Sequence, residues 1–248
     1  MKLTVHHLTK AFGPEPVIRD LSFGLAEGET LGVLGRSGGG KTTLLKLVAG
    51  LLPPDAGTVH LNGRDITHLP PQARRVVYLY QEPLLFPHLT VFENVAFGLR
   101  LRKENETTLK GQTDAMLESL GLAGQGRKLP HQLSGGQKQR ASFGRALVIR
   151  PELVLLDEPF GNLDVETRSA MQRLYKELAR IHGISAVFVT HDLKEAMLMG
   201  DRLAYLEAGR LRVFENLRAF INDPAVGVGP EIEFWQRLME TGDLRQET

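Results

Sequence analysis

The chain has 248 residues, 42% hydrophobic and 24% charged, values that suit a folded domain with a sizeable core and exclude a disordered polar chain. A formal net charge of +1 offers no broad basic field, so no nucleic-acid partner is expected, and zero cysteines exclude disulfides and thiolate zinc sites. The opening MKLTVHHLTKAFGP lacks a signal-peptide core, and no apolar stretch reaches the roughly 18 residues needed to span a bilayer. The chain is therefore expected to be soluble and to depend on another subunit for any work at a membrane.

In chain order, LTVHHL, IRDLSFGL, TLGVLG and TVHLNG are short β-type runs separated by Gly, Pro and Asp. After TLGVLG a glycine loop, residues 35–43, leads into KTTLLKLVAGLL, whose leucines recur at helical spacing. RVVYLY at 75–80 predicts another strand, and residues 83–150 then read mainly as helix in TVFENVAFGLRL, TDAMLESLGL and QKQRASFGRALVI. Strands return with LVLLDEP and AVFVTHD, on either side of the helix VETRSAMQRLYKELARIHG. In that helix Met171, Leu174, Leu178 and Ile181 form one apolar stripe, expected to pack on the sheet. The run from Leu153 to Leu156 predicts a strand buried on both faces, hence central and parallel.

Alternating strands and helices predict an α/β doubly wound core. Residues 1–82 and 151–220 would form the core with its antiparallel β part, 83–150 a helical insert, and 221–248 a helical tail. In the tail, Ile232, Trp235, Leu238 and Met239 share a face suited to packing on the chain's own core or on a second copy.

GRSGGGKT satisfies the phosphate-loop pattern G-x-x-x-x-G-K-[ST] between a strand and a helix, a setting that argues against a chance glycine turn. Backbone N–H groups of Gly35, Arg36, Ser37, Gly38, Gly39, Gly40 and Thr43 would face phosphates. Lys41 would supply a point charge, and the Thr42 hydroxyl would ligate Mg²⁺. Asp157 ends a buried strand where open α/β sheets place ligands, and suits Mg²⁺ held through water; Glu158 beside it would polarise a water. His191 and Gln81 end two further strands. Each taken alone is commonplace at a strand end, but together with the phosphate loop they outline a nucleoside triphosphatase site, with Gln81 reaching metal or water.

A second loop, LSGGQKQR at 133–140, also resembles an anion site at a helix N-terminus but lacks a lysine. These motifs carry a resemblance. LSGGQKQR matches the signature of the ATP-binding-cassette (ABC) family, and the rest of the chain is similar to the nucleotide-binding ATPase subunit of an ABC transporter, element by element and in order. The resemblance makes residues 35–43 the Walker A loop, Gln81 the Q-loop glutamine and LVLLDEP the Walker B strand, with Glu158 as catalytic glutamate. Residues 161–164 become the D-loop, His191 the switch histidine and Phe12 the aromatic stacked on adenine. It implies a phosphate-loop ATPase fold, ATP and Mg²⁺ as ligands, and a head-to-tail pair of copies. Gln132, Ser134, Gly135, Gly136 and Gln137 of one copy would then bind the ATP held by the other, so two loops in one chain serve two different nucleotides.

The resemblance further implies permease subunits, a solute-binding protein in the full complex, and a place on the cytoplasmic face of the cell (inner) membrane. QEPLLFPHLTVFENVAFGL resembles bacterial importers of mineral and organic ions, with an exporter or lipoprotein-release cassette as the alternative. From its length, the regulatory β-domain that many of those importers carry is not expected here. Two departures stand out: GN where the D-loop often has Ser-Ala, and Phe12 where Tyr is commoner.

Overall fold

The parallel strands of this chain are apolar on both faces, and each face needs a cover. In the computed structural model, which describes residues 1–161 and 163–229, the elements run as follows. The first half contains β1 (Leu3–Ala11), β2 (Pro16–Leu25), β3 (Thr30–Leu34), α1 (Lys41–Ala49), β4 (Ala56–Leu61), β5 (Arg64–Asp65) and β6 (Val76–Leu79). Helices α2 (Val91–Leu101), α3 (Glu106–Ser119) and α4 (Gly135–Leu147) follow. The chain then re-enters the core through β7 (Leu153–Asp157), α5 (Val165–His182), β8 (Ser185–Thr190), α6 (Leu193–Met199), β9 (Arg202–Glu207), β10 (Arg210–Phe214) and α7 (Leu217–Ile221).

One sheet has the order β2-β1-β4-β5 and is antiparallel; the other has the order β10-β9-β3-β8-β7-β6. In the second sheet β9, β3, β8, β7 and β6 are parallel, and β10 adds an antiparallel edge. Alternate residues divide between two cores, as the strand period of two requires. Leu153, Leu155, Val187 and Val189 pack with the leucines of α1 and the antiparallel sheet. Val154, Leu156, Ala186 and Phe188 face the opposite way, toward α5, α6 and the helical segment. This is the expected α/β phosphate-loop fold, with a mostly parallel sheet, an N-terminal antiparallel sheet and helices inserted between β6 and β7.

Two details differ from the sequence reading. Helix α3 starts at Glu106, well before TDAMLESLGL, because Asn105 caps it by accepting the Thr108 N–H; the polar first turns hid its period. On α5, Ile181 is 57% exposed, whereas Tyr175 is fully buried beside Met171 and Leu178. Ile181 sits in the last turn, where the chain leaves the helix through Gly183 (φ 60°) toward β8. The tail face at Ile232, Trp235, Leu238 and Met239 lies outside the described residues.

Helix α1 is fastened at its C-terminal end by Arg74, which is nearly fully buried. The guanidinium donates to the carbonyls of Leu47 and Val48 in the last turn (both 2.9 Å), and also to Leu69 (2.8 Å) and Thr67 (2.6 Å). Last-turn carbonyls have no partner within their helix, and a planar fork of donors satisfies several at once. Lysine has the charge but not the fork. Arg74→Lys is expected to destabilise the fold by about 2–4 kcal/mol, read from the shift of a denaturant melt.

Candidate active site

Six of the helices among the described residues begin with a side-chain cap: Thr90, Asn105, Ser134, Asp164, Asp192 and Asn216 each accept a backbone N–H. Helix α1 does not. Its N-cap is Gly40, with φ 98° and no side chain to offer, so the first-turn N–H groups of the helix face outward from the loop. A Cβ at Gly40 would lie 3.0 Å from the Val17 carbonyl oxygen, so the backbone conformation and the space both call for glycine. Lys41 is buried and its ammonium donates to the carbonyls of Gly35 (2.8 Å) and Arg36 (3.1 Å). Burial pulls its pKa below the ordinary lysine value, opposed by the nearby charges of Glu158 and Asp157. Ser37, Gly38 and Thr42 are exposed, and Gly39 and Thr43 half-buried, which leaves the loop surface open to a ligand.

Although β8 lies between β3 and β7 in the sheet, α1 spans it and packs on β7. The Thr42 hydroxyl thereby reaches Asp157 and donates to its Oδ1 at 3.0 Å. The other carboxylate oxygen, Oδ2, accepts from the Tyr78 hydroxyl at 2.6 Å. Burial first, then the bond to Asp157, pushes the Tyr78 pKa far above that of a free tyrosine, so the hydroxyl stays protonated. The sequence reading missed Tyr78, because a tyrosine inside a strand reads as core.

The neighbouring Glu158 has φ 45°, a left-handed backbone unusual for a residue with a side chain. Its N–H donates to the Val189 carbonyl (3.0 Å), which pins the turn to β8. Its Oε2 lies 3.0 Å from Nδ1 of His191, at the end of the same strand. A strained residue held by neighbours on two sides is common at catalytic sites. Gln81 joins this group: a Cβ on Gly161 would lie 3.2 Å from its Nε2 and 4.0 Å from Glu158 Oε2. The structure thus gathers Lys41, Thr42, Gln81, Asp157, Glu158 and His191 at one edge of the sheet.

Two further contacts brace the site and had no sequence signal. Buried Gln139 of α4 donates from Nε2 to the Pro159 carbonyl (2.7 Å), tying the helix after the second loop to the residue following Glu158. Buried Glu195 accepts from the Thr190 hydroxyl and from Gln172 Nε2 (3.3 Å), holding the turn before His191. Burial raises the pKa of Glu195, against the two bonds.

The second loop occupies a different place. Ser134 caps α4, and the pairing is reciprocal: Gln137 Oε1 accepts from the Ser134 N–H at 3.0 Å. Gln132 Oε1 likewise accepts from Leu129 N–H at 2.8 Å, so both glutamines use a side-chain oxygen to brace the loop. A Cβ at Gly135 would meet nothing within 4 Å, whereas one at Gly136 would approach Thr167 Cγ2 to 2.8 Å. Ser134, Gly135 and Gly136 line a groove of about 660 Å³ with Asp164 and Thr167, and no residue of 35–43 lines it. Phe12, in the turn after β1, is 56% exposed. Of the D-loop, Asn162 lies outside the described residues.

The residues suit Mg²⁺ bound with a nucleotide. Among the described residues no cluster of three or more His, Cys, Asp or Glu could hold a metal by itself. One hydroxyl and one carboxylate oxygen 3.0 Å apart, beside a phosphate-type loop, instead match a hard cation that completes its shell from phosphate and water.

Comparison with known proteins identifies the family. The family model described as ABC transporter matches residues 18–161. The molybdate/tungstate import ATP-binding protein of Pyrococcus horikoshii is 42% identical over 93% of this chain and 69% of its own length. The spermidine/putrescine import ATP-binding protein of Methylococcus capsulatus is 46% identical (88% of this chain, 57% of its own). The sulfate/thiosulfate import ATP-binding protein of Caulobacter vibrioides is 43% identical (85% and 63%), so the chain spans about six-tenths of the length of several such relatives. Among solved structures, an ATP-binding cassette captured as a dimer in a post-hydrolysis state with ADP and Pi superposes with a TM-score of 0.75. It is 29% identical and covers 86% of this chain and 97% of its own. With the family model running through more than half of the sequence and relatives above 40% identity, the chain belongs to the ABC transporter family.

Proposed function

We propose that the chain is the ATP-hydrolysing subunit of an ABC importer for a small ion or organic solute. The observation that carries this reading is the convergence of Asp157 on Thr42 and of Glu158 on His191, at the edge that also holds Lys41. The relatives described above are named as import ATP-binding proteins, which favours import over the exporter or lipoprotein-release alternative. Their names span molybdate, sulfate and polyamines, so the cargo class is small and polar.

In this reading Phe12 stacks on adenine, while Lys41 and the backbone N–H groups of residues 35–43 hold the phosphates. Thr42, Gln81 and Asp157 would hold Mg²⁺, Asp157 through water, and the bound ion would supply positive charge against the nucleotide's phosphates. Glu158 orients the attacking water and takes its proton as the new oxygen–phosphorus bond forms and the bond to the ADP oxygen breaks. His191 holds the Glu158 carboxylate in place, and Lys41 stabilises charge on the transferring group.

Gln132, Ser134, Gly135, Gly136 and Gln137 complete the site of a second copy, an arrangement supported by the open face of Gly135 and by the dimeric relative. No helix among the described residues is long and apolar enough to cross a membrane. In this reading the subunit works at the cytoplasmic face through permease subunits, with a solute-binding protein delivering the cargo.

Glu158→Gln is expected to retain ATP binding and slow turnover by roughly 10²–10⁴-fold, with an ATP-bound dimer visible by light scattering. Near-normal hydrolysis would remove Glu158 from the mechanism. Phe12→Ala should weaken ATP and GTP alike by about 1–3 kcal/mol in a binding titration, because stacking reads a ring face and not a base edge; unchanged affinity would return Phe12 to loop packing. Gly135→Asp should bind ATP as a monomer but neither dimerise nor hydrolyse it. Mixed with Lys41→Ala subunits, it should regain part of the ATPase activity, since each mixed dimer has one site free of both defects. A monomer-binding defect in Gly135→Asp as large as that of Lys41→Ala would place both loops around one nucleotide.

A further inference from the structure

We propose that Tyr78 is a positioning residue for the metal site, fixing the orientation of the Asp157 carboxylate through its hydroxyl. The inference rests on the Mg²⁺ reading of Thr42 and Asp157 given above and adds a residue to it. Tyr78 stands on β6 opposite Leu155 of β7, in parallel register. Leu155 and Asp157 are two residues apart on one strand and so share a face, which is also the face covered by α1. The Tyr78 ring lies along that face, partly buried against the α1-side core and 4.6 Å from the ring of Tyr80. From there its hydroxyl meets Asp157 Oδ2 at 2.6 Å.

The consequence is geometric. The terminal torsion of an aspartate is broad, so a carboxylate at a strand end can turn its plane freely unless something holds it. Tyr78 occupies Oδ2 and leaves Oδ1 directed at the Thr42 hydroxyl, 3.0 Å away. A hydrogen bond to an ionised acceptor is short and strong, and partners of this kind orient metal-ligating carboxylates in general. Phenylalanine at this position would keep the packing and lose the orientation. Tyr78 also precedes Gln81 on the same strand-and-turn segment, so one piece of backbone carries a proposed metal ligand and the residue that orients another.

The test uses the full-length chain with ADP and Mn²⁺ as a paramagnetic substitute for Mg²⁺, followed by electron paramagnetic resonance, beside ADP titrations without metal. Tyr78→Phe is expected to weaken Mn²⁺ binding to the ADP complex by about 10–100-fold, with metal-free ADP affinity within about twofold of the unsubstituted protein. Its thermal midpoint should be nearly unchanged. Tyr78→Met, which also removes the hydroxyl and keeps an apolar side chain, gives the same reading if the phenylalanine variant folds poorly. Wild-type Mn²⁺ affinity in Tyr78→Phe, alongside a loss in Asp157→Asn, would reduce Tyr78 to packing and overturn the proposal. An equal fall in metal-free ADP affinity would overturn it too, since the effect would then be on the loop and not on the metal. If Asp157→Asn itself leaves Mn²⁺ binding intact, the metal reading of the site falls, and this one with it.

Discussion

The parallel register of β3, β8, β7 and β6 is the constraint on which the site depends. Because these strands run the same way, their carboxyl ends lie along one edge, and each end delivers a different group. From β3 comes the phosphate loop, from β7 the Asp157–Glu158 pair, from β8 His191, and from the turn after β6 Gln81. A parallel sheet must be covered on both faces. Here α1 and the antiparallel sheet cover one, while α5, α6 and the inserted helices cover the other. Burial of the strands and convergence of the polar groups at their ends are two results of the same arrangement.

The polar edge is held by deliberate exceptions to ordinary local structure. Helix α1 forgoes a side-chain cap at its N-terminus, while its C-terminal carbonyls are satisfied by the buried guanidinium of Arg74. Glu158 takes a left-handed backbone and is held by bonds to β8 and to His191. Strain of this kind persists only where neighbours over-determine the conformation. The Glu195 contacts beneath His191 and the Gln139 bond to Pro159 supply that rigidity from the second layer.

The two anion-type loops differ in the way the proposed division of labour requires. The first is backed by a buried lysine and opens beside two carboxylates. The second is closed on itself by the reciprocal Ser134–Gln137 pairing and opens at Gly135 onto a groove shared with Asp164 and Thr167. Gln139, one turn into the helix that the second loop starts, reaches the backbone beside Glu158. A change at the second loop therefore has a short physical route to Glu158 of its own chain.

Much of this is legible in the sequence, because it is local. Glycine spacing, a lysine and a threonine at the start of an apolar helix, and an acidic pair after a run of buried aliphatics are neighbours in the chain, and their chemistry follows from the order of residues. The apolar runs likewise determined the fold class, since a run such as Leu153–Leu156, apolar on both faces, belongs in the middle of a parallel sheet. What only the tertiary structure decided are contacts between residues distant in sequence. Tyr78 reads as a core aromatic until β6 is set beside β7, and Arg74 as a surface charge until α1 ends against it. Ile181 fits the helical period of α5, yet the last turn leaves it in solvent while Tyr175 is buried. Periodicity states which residues share a face; only the packing of the neighbouring elements decides how far along that face burial extends, and which polar atoms meet there.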